Sequence, residues 1–165
     1  DTRAWTFPTD SKQELALRVS ALLERVMGLV DPEDVVAVED YAYGISPKQS
    51  NLTTLAEIGG LVKYACWRRT GCWPLAISSG TMKKWASGSG ATKKAQLPLI
   101  VFKRLGVEFD SDDALDAWIL GDLVWHLLAE PDCWRRELLK YERDVLNEVA
   151  KKKGSVLQAL AEKIR

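Results

Sequence analysis

The chain has 165 residues, enough to bury one hydrophobic core. Its 23 basic and 23 acidic residues cancel, which argues against a non-specific nucleic-acid binder with a uniformly basic surface but leaves room for a local basic patch. No stretch of apolar residues approaches the ~18 needed to cross a bilayer, Asp1 to Trp5 carry no secretory pattern, and the three cysteines, Cys66, Cys72 and Cys133, form no C-x-x-C. Reduced, packed cysteines in a cytosolic protein fit better than a disulfide framework or a structural zinc site.

In chain order, residues 3–8 read as a short strand ended by Pro8. Ser11-Lys12-Gln13-Glu14 fits a capping box, and Leu15, Val19, Leu22, Leu23 and Val26 follow at helical spacing, so a helix is expected over 11–29. Asp31 to Asp34 form a turn. The β-branched run Val35-Val36-Ala37-Val38 is a buried strand ending on Glu39. Residues 41–50 form a loop, a helix covers 52–69, and Leu75 to Ser78 form a second buried strand. A short helix near 81–86 leads into Gly88-Ser89-Gly90, followed by helices at 92–104 and 112–129. The tail, 131–165, reads as two charged helices broken at Gly154. Helices alternating with short buried strands predict an α/β sandwich.

Three carboxylates stand apart from the acidic decoration of the helices. Glu39 emerges at a strand end, where open α/β sheets bind ligands, and is either a cap or a site residue. Asp113 and Asp116 are three apart at the start of a helix, hence on one face. Two such carboxylates repel unless a cation lies between them. Hard oxygen donors with no His or Cys nearby point to Mg²⁺ or Mn²⁺. The alternative, acidic residues set against a helix dipole, suits Asp110 and Asp112. His126 lies about 15 Å further along the same helix and is outside this group. Lys83, Lys84, Lys93 and Lys94 bracket the small-residue stretch 86–92; exposed amides and lysines together make either a phosphate site or a solvated linker. Of the seven tryptophans, Trp5, Trp118 and Trp125 are expected in the core.

Four segments, in this order, carry a resemblance: Val36 to Gly44, Leu55-x-x-Ile58-Gly59-Gly60, Lys83 to Lys94, and Asp113-Ala114-Leu115-Asp116-Ala117-Trp118. Together they resemble the RuvC-type Holliday junction resolvases, phage-encoded members included, of the RNase H-like superfamily. The resemblance runs from residue 1 to about 129. It implies an RNase H-like three-layer fold, with a mixed central sheet flanked by helices, over 1–130; beyond it the tail, 131–165, is expected to be a helical C-terminal extension. The family's carboxylates fall on Glu39, Asp113 and Asp116, and its phosphate-side lysines on Lys94 and Lys83. Its first Asp, on an N-terminal strand, has no counterpart in this sequence and is expected upstream of it. The implied activity is hydrolysis of DNA at four-way junctions with two Mg²⁺ or Mn²⁺ ions, by a homodimer matching the junction's two-fold symmetry, in the cytoplasm of a bacterial or phage-infected cell. Lys83, Lys84, Lys93 and Lys94 would contact phosphates. Tyr41 and Tyr43 either stack on unpaired bases or pack their loop. Rival readings are a non-catalytic module holding branched DNA and a flap or fork nuclease.

Overall fold

A computed structural model describes residues 12–40, 52–134 and 136–164. The order is α1 (Lys12–Met27), β1 (Ala37–Asp40), α2 (Leu52–Thr70), β2 (Leu75–Ser78), α3 (Ser79–Ser87), α4 (Leu97–Leu105), α5 (Asp112–Leu128) and α6 (Lys140–Ile164), with single 3₁₀ turns at Lys94–Gln96 and Pro131–Cys133. The expected strand at 3–8 with Trp5, and the loop holding Tyr41 and Tyr43, lie outside the described residues.

β1 and β2 pair in parallel, Ala37 opposite Leu75 and Asp40 opposite Ser78. Parallel partners need a crossover, and α2 supplies it. Leu75 and Ile77 alternate inward and are buried, as the two-residue period of a strand requires. The first strand, Ala37–Asp40, begins two residues later than its apolar run suggests and runs one residue past Glu39, which therefore lies within β1.

The expected three-layer fold with a mixed central sheet is not what the chain forms. Helix accounts for 70% of the described residues, and the described strands make only a two-stranded parallel sheet. The physical reason is visible in the pattern. Outside 35–40 and 75–78 the apolar residues of the described chain recur at helical spacing, so they form stripes on helices. Two strands cannot separate two helical layers, and the helices pack on one another instead.

α5 is central to this packing. It is apolar around most of its circumference and contacts β1, α3 and α6. Its Leu115, Ile119 and Leu123 join Trp85 and Met82 of α3, Leu97 and Val101 of α4, and Val145, Val149 and Leu160 of α6 in one cluster. Each fully buried side chain of this kind contributes about 1.5–3 kcal/mol of hydrophobic stabilisation. The tail is thus part of the core. α6 is two helical segments joined at a kink: its backbone leaves helical values at Lys153, beside Gly154, where the sequence places the break, and the glycine lowers the cost of the kink. Trp118 is half-buried and packs on Phe109, but Trp125, expected in the core, is 50% exposed. It lines an apolar cleft of about 740 Å³ with Ala37, Ala117, Gly121 and Leu128.

Candidate nucleic-acid and metal site

The segment between α3 and α4 is built rather than loose. Ser78 caps α3: its Oγ accepts from Thr81 N–H at 3.2 Å. Gly88 ends the helix at φ +84°, where a β-carbon would meet the Tyr141 ring at 3.4 Å. Gly90 lies so close to Gly80 that a β-carbon would stand 3.0 Å from its carbonyl oxygen. Ser87 Oγ donates to Lys83 O at 2.7 Å and lies 2.7 Å from Thr92 Oγ1. The amides of Gly88, Ser89, Ala91 and Thr92 donate to Lys84 O, Ser87 Oγ, Ser89 Oγ and Ser89 O. These four amides are satisfied within the segment and are not free to cradle a phosphate.

One of those lysines meets an expected carboxylate. Lys94 Nζ stands 3.0 Å from Asp116 Oδ2 and 3.9 Å from Asp112 Oδ2. The hydrogen bond to Asp116 raises the Lys94 pKa above its ordinary value, against a smaller effect of burial; the charges of Asp116, Asp112 and Asp113 add to the rise. Ser111 places this end of α5, its Oγ accepting from Ala114 N–H at 3.2 Å. The cation is shared by Asp112 and Asp116, an i, i+4 pair, whereas the spacing alone points to Asp113 and Asp116. Asp112 does more than complement the helix dipole; it also faces the lysine.

Glu39 is exposed on β1, which packs against α5. Among the described residues, however, no three His, Cys, Asp or Glu side chains stand close enough together to hold a metal ion. Glu39, Asp113 and Asp116 thus form no such cluster, and the arrangement does not fit two divalent ions as it stands. The cation held at the start of α5 is the Lys94 ammonium. Of the remaining lysines, Lys93 is exposed beside the 3₁₀ turn, Lys83 is half-buried on α3, and Lys84 is 3.3 Å from Glu148 of α6.

A second polar group was not anticipated. Glu142 of α6 has 0% exposure, yet it accepts from Arg104 Nη2, from Arg136 Nη1 at 2.8 Å and from Leu139 N–H at 2.7 Å. Arg136 Nη2 also reaches Asp122 Oδ2 at 3.2 Å, and the same oxygen accepts from Trp85 Nε1 at 2.9 Å. Arg104 also donates to the carbonyls of Trp85 and Ala86, tying α4 to the end of α3. His126 is buried with Nδ1 2.7 Å from Asp122 O. Burial pushes the Glu142 carboxyl up, but the hydrogen bonds from Arg136 and Leu139 and the two guanidinium charges outweigh it and leave the pKa below the ordinary value. In sequence, only Asp122 inside an otherwise apolar stretch of helix hints at this network; Glu142 is hidden in a charged run.

No protein-family model matches the chain, and comparison with curated proteins gave no match.

Proposed function

We propose that the chain is a metal-dependent, structure-selective DNA endonuclease that cuts four-way junctions by phosphodiester hydrolysis. The observation that carries this reading is the contact between Lys94 and Asp116. The two residues come from segments 22 positions apart that the sequence singles out independently, one as a candidate phosphate site and one as a candidate metal site. This pairing supports the reading because an ammonium beside a packed helix start can also neutralise charge on a phosphate. Mg²⁺ or Mn²⁺ is the cofactor this reading entails, and Glu39, Asp113 and Asp116 would have to draw together to hold it. A homodimer acting in the cytoplasm of a bacterial or phage-infected cell completes the proposal, two copies matching the junction's two-fold symmetry. Among the described residues, no helix is long and apolar enough to cross a membrane.

A second reading, a non-catalytic module that holds branched DNA, is favoured by one observation: the three carboxylates are not gathered. One experiment separates the two. Junction, fork and linear duplex DNA are incubated with the protein in Mg²⁺ or Mn²⁺, and binding to each is measured in Ca²⁺. Paired cuts in the junction support the nuclease. Junction-selective binding without cutting supports the module, and indifference to branching refutes both.

A further inference from the structure

Four lysines from three helices gather around two carboxylates at the carboxyl end of the sheet and along α3. Asp40, the last residue of β1, lies 3.9 Å from Lys63 of α2 and 3.8 Å from Lys153 of α6. Glu148 of α6 lies 3.3 Å from Lys84 of α3 and 2.7 Å from Lys152. Glu148 answers two cations at once, so that group carries an excess positive charge. Exposed Lys151 adjoins it in sequence. Asp40 is opposite Ser78 in the ladder, at the carboxyl ends of both strands, and ligands of parallel sheets bind beyond such ends. Lys153 is also where α6 departs from helical geometry.

We infer that the kinked helix α6 supplies a DNA-backbone contact strip, Lys152 and Lys153 acting with Lys84, so that the tail extends the nucleic-acid interface proposed for Lys83, Lys84, Lys93 and Lys94. The inference rests on the DNA-binding reading above. Phosphodiester DNA is the occupant because the strip is a row of flexible point charges from different elements, the arrangement that complements a line of backbone phosphates. Glu148 acts as an internal competitor. It occupies Lys84 and Lys152 when DNA is absent, and these two lysines hold its pKa below the ordinary carboxylate value.

The test is the salt dependence of binding to a fluorescent four-way junction in Ca²⁺, with the full chain. The wild type is measured first. If it binds no DNA at any salt concentration, the functional reading fails and this strip fails with it. If it binds, the Lys152→Ala/Lys153→Ala variant is expected to lower the slope of log K against log salt by about two units, near 0.9 for each phosphate no longer neutralised. Lys103→Ala, an exposed lysine of α4 outside the cluster, controls for a general loss of charge and is expected to leave at least the larger part of the slope intact. Glu148→Gln is the second arm. Releasing Lys84 and Lys152 is expected to tighten binding several-fold and steepen the slope. A merely structural ion pair predicts the opposite, a less stable protein with unchanged or weaker binding. An unchanged slope in the double-lysine variant, with wild-type binding and intact helicity by circular dichroism, overturns the strip and leaves the DNA-binding reading standing.

Discussion

Glu142→Gln tests whether the buried ionic network holds α6 to the rest of the molecule. Glu142 is fully buried and receives three donors: Arg104 Nη2, Arg136 Nη1 at 2.8 Å and Leu139 N–H at 2.7 Å. The amide keeps the shape but removes the charge, and it replaces one acceptor oxygen by a donor facing two guanidiniums. Their side chains are only 20% and 22% exposed, so water offsets little of the loss. Breaking a buried pair of this kind costs about 3–5 kcal/mol. For a chain of this size that corresponds to a fall in melting temperature of about 6–20 °C. The measurement is urea and thermal unfolding followed by circular dichroism. The pH dependence gives a second, independent sign. Because the folded pKa of Glu142 is depressed, its contribution is complete above the ordinary glutamate pKa of about 4.3 and is lost as pH falls through the lower folded value. Wild type is therefore expected to lose stability in acid more steeply than Glu142→Gln, and the two curves should converge at low pH. A loss below about 1 kcal/mol at neutral pH, in the range of an ordinary surface ion pair, or parallel acid limbs would refute the argument.

Three further outcomes are expected. Asp116→Asn should abolish junction cutting in Mg²⁺ while junction affinity in Ca²⁺ stays within a few-fold; retained cutting would remove Asp116 from the site. Lys94→Ala should slow single-turnover cleavage by about a hundredfold or more, the range for loss of one charge-stabilising donor, whereas exposed Lys93→Ala should do much less; equal effects would reduce the segment to a simple electrostatic contact. Gly88→Ala should lower stability by about 1–2 kcal/mol, the cost of a side chain in the left-handed region, because its φ is +84° and the new β-carbon would press on Tyr141 at 3.4 Å; thermal melting reads it, and an unchanged midpoint would contradict the packing of the α3 C-terminus on α6.

Local pattern made most of the elements legible. The 3.6-residue spacing of Leu15, Val19, Leu22 and Val26 marks α1, and the short runs at 35–38 and 75–78 mark the strand pair. Ser111 and Ser78 cap helices where short polar side chains do so most cheaply. Lys94 and Asp116 are both marked by chemistry, but their 3.0 Å contact is not, because nothing in either segment encodes the distance between them. The expected three-layer sheet failed for a related reason. A βαβ unit specifies its own parallel pair, while the layers above and below depend on what the other helices find to pack on.

Where helices and strands form is readable from the chain alone, because those choices rest on side-chain period and capping within a few residues. Three features came only from the packed molecule: α6 belongs to the core, Glu142 is buried between Arg104 and Arg136, and Lys153 reaches Asp40 from 113 positions away. Burial and ion pairing are properties of packed neighbours. A glutamate in a charged run looks solvated until two arginines from other segments close over it.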